Sequence, residues 1–225
     1  MKIGILITGH PPDTLAEAGS YDHYFERLLS GRGFSFEGWA VVDGIFPQEV
    51  RAADGWLITG SKHGAYETHE WIPPLEDFIR DVYAAGLPMI GICFGHQIIA
   101  QALGGKVEKF AGGWCVGRTV YSLEGRDVAI NAWHQDQVVE KPLDAEVISE
   151  TDFCKYAGLL YGNRIWTFQP HPEYDNAFIE GLIDVRGKGI VPDDLLASAR
   201  AQLEKPTDQL QVAEIMSDFF KQVRP

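Results

Sequence analysis

The heptapeptide Gly91-Ile92-Cys93-Phe94-Gly95-His96-Gln97 places one cysteine between two glycines. It follows the apolar run 87–90 and leads into a segment with helical spacing, so Cys93 is predicted to lie where a strand gives way to a helix. The pattern glycine-x-nucleophile-x-glycine is typical of a nucleophile elbow, a strained turn that raises a side chain above the edge of a sheet. The following helix, expected to begin near His96, favours a thiolate at Cys93 because its amino end is partly positive. The backbone N–H of Phe94 is then a candidate donor to an oxyanion.

Apolar runs alternate with amphipathic segments around this heptapeptide. In the first half of the chain, predicted strands and helices lie at 3–7, 24–29, 38–42, 56–58, 71–85, 89–92 and 98–103. Runs bounded by glycine and proline in this arrangement indicate βαβ units. The sequence therefore predicts an α/β fold with a doubly wound, mostly parallel central sheet flanked by helices.

The second half of the chain has a different pattern. Turn signals at 123–127 and 162–164 separate closely spaced strand candidates, which predict antiparallel additions to the sheet at 107–110, 116–121, 128–133, 145–149, 157–161 and 165–168. Beyond Pro172, helices are predicted over 177–185, 193–203 and 209–223. The chain has 225 residues, 45% of them hydrophobic, and no repeat or linker-like segment. We expect one domain over 1–225, with a core over about 1–175 and a C-terminal helical extension over about 176–225.

The composition excludes several classes of function. A formal net charge of −13 repels phosphate, so neither nucleic acid nor an anionic membrane surface is expected as a partner. The three cysteines are an odd number without metal-ligand spacing, which predicts neither a disulfide framework nor a zinc site. No metal and no cofactor is expected. The opening apolar stretch is too short for a signal peptide and no later run reaches membrane length, so we expect a cytoplasmic protein.

A thiol nucleophile needs a base, and His171 is the candidate. It lies in Phe168-Gln169-Pro170-His171-Pro172-Glu173, directly after a predicted strand. A residue before proline adopts extended backbone, and in an extended segment residues i and i+2 project to the same side. Glu173 is therefore expected to orient the His171 ring. The alternatives are a solvated loop histidine beside a surface glutamate and, for Cys93, a buried small hydrophobe.

Taken together, these motifs resemble the class I glutamine amidotransferase family, whose triad-type domains occur in GMP synthetase, carbamoyl-phosphate synthetase and anthranilate synthase. The sequence is more similar still to stand-alone GMP synthetase-like members and to plant γ-glutamyl peptidases. The matching motifs follow the family's order up to about residue 173: Leu57-Ile58-Thr59-Gly60-Ser61, Gly91-Ile92-Cys93-Phe94-Gly95-His96-Gln97, Trp133-His134-Gln135-Asp136-Gln137-Val138 and Gln169-Pro170-His171-Pro172-Glu173. The resemblance implies that family's flavodoxin-like fold, with a small additional antiparallel sheet and C-terminal helices.

The resemblance also assigns the reacting groups. Cys93, His171 and Glu173 match the family's Cys-His-Glu triad. Gly60 matches the strand-end glycine whose N–H forms the oxyanion hole with that of Phe94; on the sequence alone it is equally a turn glycine.

A second set of matches concerns the substrate. Gln97 matches the glutamine that holds the substrate's α-amino-acid end, although its sequence position alone suggests a helix surface. Trp133, His134 and Gln135 match a loop that contacts the same end through backbone groups. A structural role is the alternative for His134.

The implied reaction is attack of the thiolate on the γ-carbonyl of a small-molecule γ-glutamyl substrate, release of ammonia or an amine, and hydrolysis of a γ-glutamyl thioester. The sequence departs from the synthetase-linked domains at 61–66, where a proline-containing loop is usual. Lys62 and His63 in this segment are candidates to reach the leaving-group side of the site, but solvated loop residues are the favoured interpretation. No phosphate-binding loop is evident. Three hypotheses stay open: a free-standing γ-glutamyl hydrolase or transferase, a glutaminase subunit feeding ammonia to a synthetase partner, and a catalytically idle regulatory subunit. A homo-oligomer is equally open.

Overall fold

The structure, a computed structural model, describes residues 1–12, 14 and 19–222. The strands within these residues are β1 (Lys2–Leu6), β2 (Ser35–Trp39), β3 (Gly55–Ile58), β4 (Met89–Ile92), β5 (Lys106–Lys109), β6 (Cys115–Leu123), β7 (Arg126–His134), β8 (Asp136–Glu140), β9 (Glu146–Glu150), β10 (Gly158–Tyr161) and β11 (Ile165–Phe168). The helices are α1 (Tyr21–Leu28), α2 (Ile72–Ala84), α3 (Phe94–Ala102), α4 (Asn176–Leu182), α5 (Asp193–Arg200) and α6 (Gln209–Lys221). A π-helical turn, Ile183–Gly187, continues α4, and short 3-10 turns lie at Val41–Asp43 and Val50–Ala52.

Nine strands form one sheet in the order β2-β1-β3-β4-β11-β10-β9-β6-β7. The first five are parallel to one another and the remaining pairings are antiparallel. Strands β3, β4 and β11 are buried along their whole length, as expected for parallel strands with both faces covered. The predicted α/β class with a mostly parallel sheet and antiparallel additions is confirmed.

Helices cover both faces of the sheet. Apolar residues of α2 and α3 pack on one face around Trp56 and Phe94. Those of α1 and α6 pack on the other face around Phe25 and Phe220. A third apolar cluster joins α1 to α4 and α5 through Tyr24 and Phe178. The C-terminal helices are thus packed against both the sheet and α1.

One prediction about the second half was wrong, and one strand was missed. The segment 165–168 was expected as an antiparallel addition, but β11 pairs parallel with β4 and only its other edge is antiparallel, to β10. The chain returns to the centre of the sheet because β11 is mostly apolar, is fully buried and fills the position beside β4. Strand β8 was not predicted as such; it pairs with β5 in a separate two-stranded antiparallel sheet, which confirms the small additional antiparallel sheet that the resemblance implied.

The predicted helices after Pro172 are present with shifted ends. The first stops as an α-helix at Leu182 and continues as the π-helical turn, and the second ends at Arg200 rather than 203. The third is seen to Lys221, and the predicted end at 223 lies outside the described residues. No helix in the described part of the chain is both long and apolar enough to cross a membrane.

Candidate active site

Cys93 lies at the carboxyl end of β4, between the ends of β3 and β11. Its N–H donates to Phe168 O at 2.9 Å, and its carbonyl accepts the first helical bond of α3 from Gln97 N–H at 3.1 Å. Its backbone has φ 54° and ψ −103°, a left-handed conformation that costs a non-glycine residue about 1–3 kcal/mol. Such strain is stored where the surrounding structure fixes it, here by β11 on one side and α3 on the other.

The two glycines that flank this turn are required by close packing. A Cβ on Gly91 would meet the backbone of Gly95 at 2.5 Å, and one on Gly95 would collide with the carbonyl of Ile58 in β3. Gly95 N–H donates to Thr59 O at 3.2 Å, which ties the start of α3 to the end of β3. The turn at Cys93 therefore depends on both glycines, as a nucleophile elbow does.

His171 and Glu173 follow β11 and approach Cys93 from the neighbouring strand. His171 N–H donates to Asn131 O at 2.8 Å, which fixes its backbone against β7. Its ring Nδ1 lies 2.7 Å from Glu173 Oε1, and both side chains are almost completely buried. The ring also hydrogen-bonds the Cys93 side chain. The three residues that the sequence placed in one site are brought together.

The charge on His171 depends on its two partners. Burial by itself lowers the pKa of His171, but the negative charges of Cys93 and Glu173 and the hydrogen bonds to both outweigh it and raise the pKa to about 10. The ring is therefore an imidazolium at neutral pH when it faces a thiolate and a carboxylate.

Gly60 lies against both reacting side chains. A Cβ built on it would be 2.9 Å from His171 Cε1 and 3.7 Å from Cys93 Cβ. Phe94 is the first residue of α3, a position whose N–H has no acceptor inside its own helix. Two backbone N–H groups are thus carried by residues immediately beside the thiol.

The four predicted substrate-binding residues do not share one environment. Gln97 is buried, not on a helix surface, and its amide donates to Asp136 O at 2.9 Å and to Gln169 Oε1 at 3.1 Å. Trp133 and His134 end strand β7, so the segment expected as a loop is a strand end, followed by Gln135 and β8.

His134 is buried and uncharged. Burial, followed by the positive charge of His171, lowers the pKa of His134 to about 3. Its Nε2 has no hydrogen-bond partner among the described residues, while Nδ1 lies 3.3 Å from Asp136 O.

A cavity of about 360 Å³ opens above Cys93. The four predicted substrate-binding residues line it, as do Lys62 and His63 from the loop after β3. Further lining residues that sequence reasoning did not identify come from separate parts of the chain: Tyr66, Glu67, Lys109, Trp114, Arg186 and Ile190. No local motif marks them, because they converge only through the packing of β5, β6 and the π-helical turn.

An aromatic residue packs on the face of the His171 ring. The Tyr174 ring stacks on the His171 ring with centroids 4.0 Å apart and planes within 10°. Tyr174 hydrogen-bonds Tyr21, which also hydrogen-bonds Arg186. A chain of contacts thus runs from the cavity wall at Arg186 to the face of the His171 ring.

The sequence matches the family model described as glutamine amidotransferase class-I over residues 45–177. Gamma-glutamyl peptidase 4 of Arabidopsis thaliana is 31% identical over 221 residues, which cover 90% of this chain and 88% of that protein. A glutamine-hydrolyzing GMP synthase of Pyrobaculum aerophilum is 29% identical over 168 residues, 69% of this chain and 31% of its own length.

Solved structures share the fold. A glutamine amido transferase from Methylobacillus flagellatus superposes with a TM-score of 0.76 at 19% identity, over 98% of this chain and 91% of that one. A glutamine amidotransferase from Thermotoga maritima gives the same TM-score and identity over 99% of both chains. The predicted flavodoxin-like fold of these proteins is confirmed, and the chain belongs to the class-I glutamine amidotransferase family.

Proposed function

We propose that this protein hydrolyses the γ-amide bond of a γ-glutamyl compound, with Cys93 as nucleophile, His171 as acid and base, and Glu173 as the group that orients His171. The observation that carries the proposal is the contact of a strained, cavity-lining cysteine with a buried histidine that is itself bonded to a buried carboxylate. This is the arrangement of an activated nucleophile, its base and an orienting group.

In the first half of the reaction, the Cys93 thiolate attacks the γ-carbonyl carbon and forms a C–S bond. The carbonyl oxygen becomes an oxyanion, and the N–H groups of Gly60 and Phe94 are the donors that stabilise it. Collapse of this intermediate breaks the C–N bond as the His171 imidazolium gives its proton to the departing nitrogen. Ammonia or an amine leaves, and a γ-glutamyl thioester remains on Cys93.

In the second half, neutral His171 removes a proton from water, and the water oxygen attacks the thioester carbon. The C–S bond breaks, the product carboxylate leaves, and the thiolate–imidazolium pair is restored. Glu173 favours the imidazolium in both halves because it accepts the Nδ1 hydrogen.

The α-amino-acid end of the substrate is proposed to bind at Gln97 and the segment Trp133–Gln135. His134 supports this placement because its low pKa, caused first by burial, keeps it neutral and its buried Nε2 lacks a partner among the described residues. With Nδ1–H donating to Asp136 O, Nε2 is an acceptor, which suits the ammonium group of the substrate. The cavity size also bears on the leaving group. Volumes of about 300–1,000 Å³ suit drug-sized ligands, so the 360 Å³ here leaves room for an amine or amino acid and not only for ammonia.

The segment after residue 175 is proposed to be part of the same functional domain. Arg186 and Ile190 line the cavity, so removal of this extension would open one wall of the site. Three cations on the wall, Lys62, Lys109 and Arg186, favour a leaving group that carries a carboxylate, as an amino acid does. A free-standing γ-glutamyl hydrolase is accordingly the preferred form of the proposal, in line with the similarity to gamma-glutamyl peptidase 4.

A second candidate is a glutaminase subunit that delivers ammonia to a separate synthetase. The similarity to part of a glutamine-hydrolyzing GMP synthase favours it. The two candidates differ in the substrate that the isolated chain turns over and in the effect of a partner.

The test measures release of glutamate, ammonia and amine by the purified chain given glutamine, γ-glutamyl dipeptides and γ-glutamyl amines. Cys93→Ala is expected to lose about 10⁴-fold or more in kcat, as expected when a covalent nucleophile is removed. Cys154→Ala is the matched control, because Cys154 is an equally buried thiol and no lining residue of the cavity. Full hydrolysis by Cys93→Ala would refute the proposal. If the chain hydrolysed only glutamine, and a second protein strongly raised that activity, the second candidate would replace the preferred form of the proposal.

A further inference from the structure

We propose that His63, Glu67 and His69 form a binding site for a divalent transition-metal ion, with Zn²⁺ as the favoured ion, on the wall of the cavity that holds Cys93. The proposal does not depend on the proposed hydrolysis being correct. The cysteine spacing, from which no zinc site was expected, does not bear on it, because none of the three ligands is a cysteine.

The donor atoms are already close to the arrangement that a tetrahedral ion requires. One donor atom from each residue can be chosen so that all three lie within 4.8 Å of one another. His69 Nε2 is 2.7 Å, and His63 Nδ1 is 3.4 Å, from the same oxygen, Glu67 Oε2. Ligands about 2.0–2.1 Å from a tetrahedral zinc ion lie about 3.3 Å apart, so sub-ångström to ångström movements bring the three into place.

The donor set selects the class of ion. Two imidazoles and one carboxylate are typical ligands of zinc sites that keep a fourth position open for water or another ligand. Calcium and magnesium prefer oxygen ligands alone, so two histidines disfavour them. The surrounding loop supplies no thiolate that would favour a closed structural site.

The loop that carries the ligands is held in place before any ion binds. Glu67 N–H donates to Gly64 O at 3.0 Å, and His63 N–H donates to Ser61 Oγ at 3.1 Å. The His69 ring stacks on Trp71, which packs on Phe94 at the start of α3. Little ordering entropy therefore opposes metal binding, since the ligands are positioned by hydrogen bonds and by the core.

The position of the cluster gives the ion access to the cavity. His63 and Glu67 line the cavity together with Cys93, while their side chains are only partly buried. An ion held by His63 and Glu67 would therefore lie beside the same volume that the leaving group of a substrate enters. Binding of the metal ion then affects the binding of other ligands in this cavity, and the reverse.

The experiment titrates Zn²⁺ into the full chain by calorimetry, in a Cys93→Ala background that removes the competing thiolate. One ion per chain is expected to bind. Even outer-shell groups are worth about 10- to 100-fold in metal affinity, so addition of His69→Ala, which removes a ligand, should weaken binding by at least about tenfold. Glu67→Gln, which keeps the side-chain shape, should weaken it in the same direction.

The matched control is His10→Ala. His10 forms another exposed histidine–carboxylate pair, with Nε2 3.0 Å from Asp43 Oδ2, but it belongs to no cluster of three ligands in the described residues. Its loss should leave Zn²⁺ affinity unchanged. Thermal unfolding without metal verifies that each variant is folded. Absence of Zn²⁺ binding, equal affinity with and without His69, or an equal loss from His10→Ala would each overturn the proposal.

Discussion

The pair His171–Glu173 and the pair His69–Glu67 have the same spacing and opposite surroundings. In each, a ring nitrogen lies 2.7 Å from a carboxylate oxygen, the partners are two positions apart in the sequence, and the ring stacks on an aromatic side chain. The first pair is 3% and 2% exposed, and the second is 34% and 43% exposed. Distance alone therefore does not distinguish the two sites.

Burial and the third partner decide what each pair can do. The exposed pair is screened by water, and such pairs contribute about 0–1 kcal/mol to stability, so its ligands are easily given up to an ion. Removing one partner of a buried pair leaves an uncompensated charge and costs about 3–5 kcal/mol. The third partner of the buried pair is Cys93, whereas the third partner of the exposed pair is His63.

The most direct test of the difference between the two pairs is the same glutamate-to-glutamine substitution in both. Glu173→Gln should lower kcat by about 10³- to 10⁴-fold, because the amide no longer holds the His171 tautomer or supports the imidazolium. Glu67→Gln should cost less than tenfold, since Glu67 only lines the cavity. Steady-state kinetics on the best γ-glutamyl substrate measures both. Comparable losses in the two variants would show that the difference in burial has no catalytic consequence.

A second prediction isolates the contribution of Cys93 to the buried pair. In Cys93→Ala the pKa of His171 should fall from about 10 by at least about one unit, because burial then opposes only Glu173. Histidine-detected NMR titration of the two proteins measures the shift. An unchanged titration would mean that Cys93 does not contact the ring as a thiolate.

The core of the site could be predicted because its signals are local. Cys93 lies between glycines at a strand end, and His171 and Glu173 have the i, i+2 spacing of an extended segment, so each local conformation follows from the chain itself. Their mutual approach depends on both strands ending at one edge of a parallel sheet. The sequence analysis placed Cys93 and His171 each directly after a strand, which is correct, although it assigned antiparallel pairing to β11.

The remaining walls of the cavity could not be predicted because they are set by tertiary packing. Trp114, Arg186 and Ile190 reach the site from an antiparallel strand region and a π-helical turn that carry no motif. The sequence position of Gln97 suggests a helix surface, yet its side chain is buried and hydrogen-bonds Asp136 and Gln169. The cluster of His63 and His69 is formed by a loop conformation that periodicity does not describe.

A third prediction concerns two buried histidines whose rings do not hydrogen-bond a carboxylate in the described structure. Burial lowers the pKa of both His96 and His134 to about 3, the reverse of His171. In the unfolded chain they titrate near pH 6.5, so between about pH 6.5 and 3 the unfolded state binds more protons. The free energy of unfolding should fall by about 1.4 kcal/mol per pH unit for each of them as pH drops through this window.

The measurement is urea unfolding of wild type and His96→Gln at several pH values. The difference in slope between the two proteins should be about 1.4 kcal/mol per pH unit below pH 6.5 and near zero above it. His171 has the opposite sign: its raised pKa contributes stability below pH 6.5 that is lost as pH rises through about 10. Parallel curves for the two proteins below pH 6.5 would mean that His96 is not held neutral.

The smallest expected effect concerns the aromatic support of the buried pair. Tyr174→Phe keeps the ring that stacks on His171 and removes only the hydroxyl bonded to Tyr21, which retains its bond to Arg186. A lost hydrogen bond of this kind is worth about 0.5–1.5 kcal/mol, so kcat should change by less than about tenfold. Tyr174→Leu, which removes the aromatic face, should lower kcat further and shift its pH profile, because the ring of His171 loses a fixed orientation. If the two variants had the same kcat and pH profile, the Tyr174 hydroxyl rather than the ring stack would position His171. The stacking that this pair shares with His69 and Trp71 would then have no role in catalysis.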